Sequence, residues 1–252
     1  MTQIDETLGH RAKLVLDDTE WAFRNRAAGY YFPHRGNDPV RNREREAAGF
    51  ETPAELETTM KLFVLLMGFP GVGKLTIARE LSRLLAAKVI DNHWFNNPIL
   101  RLLDDDGTTP LPNGIWEYTG RVRQAVLDAI VAYGPPSSNF IFTQAGVEGD
   151  ERSLRTFQQI AGAAQQREAL LVPVRLLCDE GELARRVTTP MRRERLKSID
   201  AQASREKSRR AQVLAPPHPL TLNLDVTSKT AEASAAAIHD HILGIAQTMS
   251  QD

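Results

Sequence analysis

The stretch that most constrains the fold of this chain is "KLFVLLMGFPGVGKLTIAREL", residues 61–81. It begins with a continuous apolar run ending at Gly68, which is typical of a strand buried on both faces in a parallel sheet. A glycine-rich turn follows. After it, Ile77, Leu81, Leu84 and Leu85 recur at the spacing of one helix face. A strand, a glycine-rich turn and an amphipathic helix in this order indicate the start of a βαβ unit.

The same alternation continues to the end of the chain and predicts the fold class. Strands alternating with helices indicate an α/β protein with a five-stranded parallel sheet and helices on both faces. In the helix that begins at Trp116 we expect a buried stripe of Val122, Val126, Ile130 and Tyr133. The predicted strands are 61–68, 88–91, 139–146, 170–179 and 220–227, and the predicted helices are 74–87, 97–103, 116–134, 151–166, 180–187 and 230–247.

Composition excludes several classes of protein. The 252 residues carry a formal net charge of -1, which argues against a nucleic-acid partner and against an anionic membrane surface. A single cysteine, Cys178, excludes an internal disulfide framework and fits a cytoplasmic location. No apolar run approaches the roughly 18 residues of a membrane span.

Residues 68–76, "GFPGVGKLT", carry the chemistry of the first turn. Gly68, Gly71 and Gly73 let the backbone turn tightly and approach an anion closely. The first N–H groups of the following helix have no partner within the helix, so with the helix dipole they form an anion site. Lys74 adds a positive charge near the β- and γ-phosphates of a nucleotide. The alternative is an unrelated glycine-rich turn, which the strand, helix and lysine in register disfavour.

The residue after the lysine of such a loop is usually Ser or Thr, but here it is Leu75, and Thr76 comes one place later. With Pro70, this register resembles the G-x-P-G-x-G-K-G-T loop of the nucleoside-monophosphate kinase superfamily. That resemblance implies an ATP site in which Mg²⁺ is held largely through water. The residues that it assigns to ATP are Gly68, Gly71, Val72, Gly73, Lys74, Leu75 and Thr76, with Thr76 at the α-phosphate and as a metal neighbour.

The rest of residues 61–245 looks like the shikimate kinase and chloramphenicol phosphotransferase branch of that superfamily. It also resembles bacterial proteins named only as AAA-family or shikimate kinase-like ATPases. The resemblance implies a compact P-loop NTPase domain with three layers, a small-molecule acceptor and a small lid that carries arginines. It is specific for the fold and the nucleotide and does not name the acceptor.

Polar residues follow the second and third predicted strands. "VIDNHW" places Asp91 and His93 beyond the second strand, at the sheet edge that borders the ligand crevice. In the kinase branch an Asp at this place contacts Mg²⁺ or the acceptor hydroxyl, so we expect Asp91 to organise metal or act as base. Asp91 could instead cap the next segment, and His93 could bind substrate or only form a turn. The third strand ends in Thr143 and Gln144 where many relatives have an Asp, and both are candidate substrate contacts.

An arginine-rich segment, "ELARRVTTPMRRERLK", follows the fourth strand. The resemblance places a mobile lid at about 188–212, and planar guanidinium groups suit bidentate phosphate contacts there. Arg186 and Arg193 are the expected phosphate contacts. The alternatives are a solvated basic helix face or a patch for nucleic acid. After the fifth strand, Thr227 and Lys229 are expected near the adenine.

Residues 1–58 differ from the rest and are expected to form an N-terminal extension to a kinase-like domain at 59–250. The sequence thus predicts an ATP-dependent, Mg²⁺-requiring phosphotransferase acting on a small hydroxylated molecule. Two alternatives stay open. One is a regulatory ATPase with slow hydrolysis that acts through a protein partner, and the other is a polynucleotide kinase. The oligomeric state and the acceptor are not predicted.

Overall fold

The computed structural model describes residues 60–103, 111–187 and 211–250. The predicted extension at 1–58 and most of the predicted lid, with Arg193, lie outside these residues. Within them, no helix is long and apolar enough to cross a bilayer.

The sheet has five strands, and every pairing between them is parallel, as the alternating pattern predicts. Their spatial order is β2-β3-β1-β4-β5. The strands are β1 (Leu62–Met67), β2 (Lys88–Ile90), β3 (Phe140–Gln144), β4 (Leu170–Leu177) and β5 (Leu222–Asp225), and the helices are α1 (Lys74–Leu84), α2 (His93–Leu100), α3 (Ile115–Tyr133), α4 (Glu151–Gln166), α5 (Glu180–Val187) and α6 (Ala231–Met249).

Strand β1 lies at the centre of the sheet, between β3 and β4. All six of its side chains are buried, so both faces of the strand are covered, as its uninterrupted apolar sequence predicts. Phe63 packs against Phe140 and Phe142 of the neighbouring strand, with ring centroids 5.4 and 5.2 Å apart. Because all strands run in parallel, their carboxyl ends meet at one edge of the sheet, where ligands of such folds bind.

The helices form two groups around the sheet. Helix α1 packs against α6, whereas α3 packs against both α2 and α4. In α3 the buried residues are Thr119, Leu127 and Ile130, not the predicted stripe as a whole. Val122 and Val126 are only partly buried, and the prediction for Tyr133 is wrong because its side chain is 88% exposed.

Helix α2 begins at His93, four residues before the predicted start, and ends at Leu100. The turn after β2 explains the earlier start. The backbone N–H of Trp94 donates to the carbonyl of Asp91 at 2.8 Å, and Phe95 is buried in the core. Pro98 therefore lies inside the helix and not in its first turn, where a proline is best tolerated.

Segment 211–215 crosses back over the carboxyl edge and fixes the loop that follows β3. Val213 forms an antiparallel bridge with Val147. Arg175 of β4 binds the same segment. It donates from Nη2 to the carbonyl of Val213 at 2.7 Å and from Nε to that of Leu214 at 3.0 Å. Segment 211–215 thus contacts both the loop after β3 and Arg175 of β4.

At the amino edge of the sheet, the buried Arg167 joins the end of α3 to the end of α4. Its guanidinium donates to the carbonyls of Ile130 at 2.7 Å, Gly134 at 3.0 Å and Pro135 at 2.7 Å. The same group lies over the ring of Phe140, 5.5 Å from its centroid. A buried side chain that donates to several carbonyls stabilises the fold, because each contact is a charge-assisted hydrogen bond between two helix ends.

Replacing Arg167 therefore tests the packing of α3 on the sheet. We expect Arg167→Ala to lower the free energy of unfolding by roughly 2–4 kcal/mol, since three carbonyls lose a charged donor and a buried side chain is removed. Urea unfolding followed by circular dichroism measures the change. Arg155→Ala is the matched control on α4, because that exposed side chain pairs only with Glu151 in the described structure, and it should change stability by less than about 1 kcal/mol. Equal effects of the two substitutions would contradict the role given to Arg167.

Candidate functional site

The loop 68–76 leaves β1 at the carboxyl edge and leads directly into α1. Gly71 and Gly73 have φ angles of 96° and 99°, in the region that side chains rarely adopt. Gly73 is also the N-cap residue of α1. It has no side chain to cap the helix, and the first turn of α1 contains no acidic residue. The first N–H groups of α1 therefore retain the capacity to bind an anion.

Gly68 is required for a different reason, namely close packing. A Cβ atom at this position would lie 2.9 Å from the carbonyl oxygen of Leu176 in β4 and 2.9 Å from Cγ1 of Val72. The N–H of Gly68 donates to the carbonyl of Gln144 at 3.2 Å, so the loop begins in contact with both neighbours of β1.

Lys74 lies inside the curve of the loop. Its Nζ donates to the carbonyl of Gly68 at 2.7 Å and to that of Phe69 at 3.1 Å. Beyond it, Leu75 is partly buried and Thr76 is exposed, whereas Val72 is buried in the core. The loop thus presents a lysine ammonium and helix N–H groups together, which is the donor set that a polyphosphate requires.

Asp91 and Thr143 lie side by side at the carboxyl ends of β2 and β3. Ile90 pairs with Phe142, so the next residue of each strand is also adjacent. The hydroxyl of Thr143 donates to Oδ1 of Asp91 at 2.9 Å and accepts the N–H of Asn92 at 3.1 Å. Both side chains are buried. A buried carboxylate that accepts a hydroxyl in this way is held in one orientation.

His93 and Gln144, the other two predicted substrate contacts, point to different neighbours. A ring nitrogen of His93 lies 3.3 Å from Oδ1 of Asn97, one turn along α2. Gln144 is buried and donates from Nε2 to the carbonyl of Ser153 at 2.7 Å, while its Oε1 has no hydrogen-bond partner among the described residues. Gln144 thereby ties the end of β3 to the start of α4.

A pocket of about 260 Å³ opens beside Thr143. Its walls come from the turn after β2 and the first turn of α2, from the end of β3 and the loop after it, and from α3 and α4. The volume lies slightly below the usual range of small-ligand pockets, roughly 300–1,000 Å³. The lining residues are Asn92, Phe95, Asn96, Trp116, Thr119, Arg123, Thr143, Gln144, Ala145, Val147, Asp150, Arg152, Ser153, Thr156 and Ile160.

A hydrogen-bond network around Ser153 fixes one wall of this pocket. Ser153 donates from its N–H at 3.0 Å and from its hydroxyl at 2.7 Å to Oδ2 of Asp150, which begins α4. The hydroxyl also accepts the N–H of Val147 at 3.0 Å. Burial would raise the pKa of Asp150, but the Ser153 hydrogen bonds and the charge of Arg152 lower it below its ordinary value. The negative charge of Asp150 is therefore already stabilised by Ser153 and Arg152.

Arg123 and Trp116 of the pocket were not among the residues predicted from sequence. The signal was present, because Trp116, Thr119, Arg123, Leu127 and Ile130 recur at helical spacing. They form the face of α3 that is turned inward, and Arg123 is a charged residue in that face. The predicted stripe of Val122 and Val126 is offset from this face, so it did not include Arg123.

Arg186 occupies a position between loop 68–76 and the end of β5. Its guanidinium donates to the carbonyls of Val226 at 3.1 Å and Thr227 at 3.0 Å, and lies 3.4 Å from that of Val72. It also forms an ion pair with Glu182 at 2.6 Å. Arg186 thus joins α5, the loop and the start of the segment that leads into α6.

Thr227 and Lys229, the residues predicted near the adenine, lie in that segment. The hydroxyl of Thr227 accepts the N–H of Asp179 at 3.0 Å and donates to Asp225 at 2.6 Å. The hydrogen bonds from Thr227, and then the charge of Lys229, lower the pKa of Asp225. Lys229 itself is exposed.

The metal-binding capacity of the described residues is small. They contain no group of three or more His, Cys, Asp or Glu side chains that could hold a metal ion. Asp91 is one of the carboxylates at the carboxyl edge of the sheet, and it follows β2, which is separated from β1 by β3.

Comparison with known proteins identifies the fold. No protein-family model matches the sequence, and no curated protein matches it either. A crystal structure of a "putative kinase" from Chloroflexus aurantiacus is similar, with a TM-score of 0.53 and 13% identity over 73% of this chain and 99% of the other. A gluconokinase from Sinorhizobium meliloti is similar with a TM-score of 0.50 and 14% identity over 76% of this chain and 97% of the other.

Both similar structures are covered almost completely, so this chain contains the whole of their fold. The α/β fold with a five-stranded parallel sheet that the sequence predicts is therefore confirmed. Identities of 13% and 14% do not transfer an activity or a substrate from these proteins to this one.

The ion pair between Glu182 and Arg186 gives a test of how α5 is held. Hydrogen bonds from Arg185, and then from Arg186, lower the pKa of Glu182 from its ordinary 4.5 to about 2. A lowered pKa in the folded state means that the contribution to stability is present above pH 4.5 and is lost as the pH falls towards 2. We expect Glu182→Gln to lower the melting temperature at pH 7 and to make it fall less steeply between pH 4.5 and 2. Melting temperatures of the variant and the wild type that fall equally steeply with pH across that range would contradict this account.

Proposed function

We propose that the protein is an ATP-dependent phosphotransferase that transfers the γ-phosphoryl group to a hydroxyl of a small molecule. The observation that carries the proposal is the meeting of two features at one sheet edge. The phosphate-type loop with Lys74 leaves β1 there, and the pocket bordered by Thr143 opens at the end of the adjacent strand, where Asp91 lies against that threonine. Transfer between two ligands needs such a pair of adjoining sites, whereas nucleotide binding alone needs only one.

The nucleotide lies on residues 68–76 in this proposal. The N–H groups at the start of α1 bind phosphate oxygens, and Gly71 and Gly73 allow their close approach. Lys74 exchanges a carbonyl partner for an oxygen of the β- or γ-phosphate, and its charge stabilises the negative charge of the migrating group. Arg186 holds the loop against the segment 226–230, which would border the base.

The acceptor lies in the pocket with one hydroxyl near Asp91. The carboxylate orients that hydroxyl or accepts its proton as the new phosphorus–oxygen bond forms. The hydroxyl of Thr143 keeps Oδ1 of Asp91 in place and leaves the orientation of the carboxylate fixed before the acceptor arrives. Phosphoryl transfer depends mainly on positioning and electrostatics, so a fixed carboxylate contributes directly to the rate.

Mg²⁺ belongs to this proposal as the usual partner of ATP. Asp91, and water held between it and the phosphates, would take the metal in the way that a site with few protein ligands allows. When bound, the metal would neutralise charge on the phosphate oxygens. Thr76 is exposed at the start of α1 and would lie at the α-phosphate.

Removing the positive charge of the loop tests the nucleotide site. We expect Lys74→Ala to weaken ATP binding by about ten- to a hundredfold, because a charge-assisted hydrogen bond contributes roughly 1.5–3 kcal/mol. Isothermal titration calorimetry with Mg-ATP measures this. Lys88→Ala removes the same charge at the start of β2, over the ring of Phe140, and should leave the affinity unchanged. Unchanged affinity in Lys74→Ala would show that 68–76 is not a phosphate loop.

Replacing the carboxylate of Asp91 tests the transfer step. We expect Asp91→Asn to reduce acceptor-stimulated ATP turnover by about 10²–10⁴-fold, the usual contribution of a positioned acid or base, with ATP affinity much less affected. The assay follows ADP release with a panel of hydroxylated metabolites and antibiotics. Asp240→Asn, at an exposed site on α6, is the control and should keep full activity. If no acceptor raises turnover above the acceptor-free rate, the regulatory ATPase alternative replaces the kinase.

A further inference from the structure

Loop 145–150, which joins β3 to α4, forms one side of the candidate acceptor pocket. Ala145, Val147 and Asp150 line the pocket, and Asp150 also caps the amino end of α4. The loop belongs to no strand of the sheet and to no helix, so its position depends on contacts with neighbouring segments. A displacement of this loop would therefore change the shape of the pocket.

Segment 211–215 supplies several of those contacts. The N–H of Glu148 donates to the carbonyl of Gln212 at 2.9 Å, and the N–H of Leu214 donates to the carbonyl of Gly146 at 3.2 Å. The side chain of Glu148 accepts a further N–H of the same segment at 2.7 Å. Hydrogen bonds thus run in both directions, so the two segments fix each other's backbone.

The two segments are also tightly packed at Gly146. A Cβ atom there would lie 3.0 Å from Cβ of Leu214 and 3.6 Å from Cγ of Met67. A separation of 3.0 Å between two carbon atoms is shorter than their optimal distance, roughly 3.5–4.0 Å. Segment 211–215 therefore has little space in which to move towards the loop, and a side chain at position 146 would push the segment away.

Arg175 of β4 fixes segment 211–215 from the sheet. Its guanidinium donates to the carbonyls of Val213 at 2.7 Å and Leu214 at 3.0 Å, and to Oδ1 of Asn223 in β5 at 2.7 Å. All three acceptors are uncharged, and among the described residues no carboxylate forms an ion pair with Arg175. The rigid fork of a guanidinium that binds two successive carbonyls fixes the backbone that carries them.

We propose that segment 211–215 sets the shape of the acceptor pocket, and that Arg175 is a positioning residue for acceptor binding. Arg175 is not among the described residues that line the pocket. It acts through the two carbonyls, which keep the segment against loop 145–150. An acceptor needs this wall in one place before its hydroxyl can lie at Asp91, because phosphoryl transfer depends mainly on positioning. This inference rests on the phosphotransferase function proposed above and adds a residue that controls acceptor binding from outside the pocket.

Amide hydrogen exchange, measured by NMR on the full chain, tests the contact without any ligand. We expect Arg175→Met to raise the exchange rates of the Glu148 and Leu214 N–H groups by about tenfold, because local opening of the two segments becomes easier. Asn223→Ala is the matched control, since it leaves both carbonyl contacts of Arg175 in place, and it should exchange at wild-type rates. Unchanged rates in Arg175→Met would overturn the inference. An equal acceleration at the amides of β1 would also overturn it, because it would show a loss of global stability alone.

Kinetics then test the effect on the acceptor. ATP turnover of the full chain is measured with glycerol, glucose, gluconate and glycerate, and the compound that stimulates turnover most is titrated. We expect Arg175→Met to raise the KM for this compound by about tenfold, with a smaller change in kcat and none in the KM for ATP. Arg175→Lys, which keeps the charge and loses the fork, should fall between, and Asn223→Ala should behave as wild type. A lower melting temperature with an unchanged KM would show a purely structural role and overturn the inference.

Displacing the segment without changing Arg175 gives an independent test. Gly146→Ala adds a methyl group 3.0 Å from Cβ of Leu214, so we expect it to raise the KM for the acceptor by about three- to tenfold. Gly162→Ala adds the same group on α4, where nothing lies within 4 Å of it, and should keep the wild-type KM. The effect of Arg175→Met and Gly146→Ala together should be smaller than the product of their separate effects, because both act through one segment. Fully multiplicative effects would overturn the inference.

The exchange measurement also separates failure of this inference from failure of the proposed function. If no compound in the panel stimulates wild-type turnover and Arg175→Met still exchanges faster, the phosphotransferase proposal fails and the role of Arg175 in fixing the pocket wall stands. If turnover is stimulated but neither the exchange rates nor the KM for the acceptor changes in Arg175→Met, the inference fails and the phosphotransferase proposal stands.

Discussion

The parallel pairing of β1 between β3 and β4 is the constraint on which the site depends. Because every side chain of β1 is buried, the strand has no freedom to shift its register by even one residue without exposing apolar surface. In that register Met67, the last residue of β1, lies beside Gln144 and Arg175. The loop therefore begins at Gly68. A Cβ atom at position 68 would lie only 2.9 Å from the carbonyl oxygen of Leu176, so the turn needs a glycine there. The loop is thus positioned by the core, before any ligand contributes.

Two helices, α3 and α4, contribute residues both to the pocket and to the core. In both α3 and α4 the polar residues of the inward face lie mainly in the first half of the helix. Thr119 and Arg123 precede Leu127 and Ile130 in α3, and Ser153 and Thr156 precede Ala163 and Ala164 in α4. The second halves pack mainly in the core, while the first halves lie at the carboxyl edge of the sheet and line most of the pocket. A single amphipathic helix therefore stabilises the fold at one end and lines the candidate site at the other.

Sequence alone predicted the parts that depend on local pattern. The five strands, the glycine-rich loop and its helix follow from apolar runs, spacing and turn residues, and Asp91 follows from its position after a strand. The inward face of α3 was predicted incorrectly for two reasons. The inward Arg123 interrupts the apolar stripe on that face, and Tyr133 has the spacing of a buried residue although its side chain is exposed. Partners far apart in the chain were also beyond reach. Gln159 meets Arg123 across 36 residues, and Arg186 reaches Val72 across 114, and no local pattern records such contacts.

The central claim is that residues 68–76 hold the polyphosphate and that the group to be transferred faces Asp91 and Thr143. NMR chemical-shift mapping of the full chain with Mg²⁺ and a non-hydrolysable ATP analogue tests this most directly. We expect the largest amide shifts at Gly71, Gly73, Lys74 and Leu75, with smaller shifts at Asp91 and Thr143. Shifts confined to other parts of the chain, with the amides of 71–75 unchanged, would contradict it.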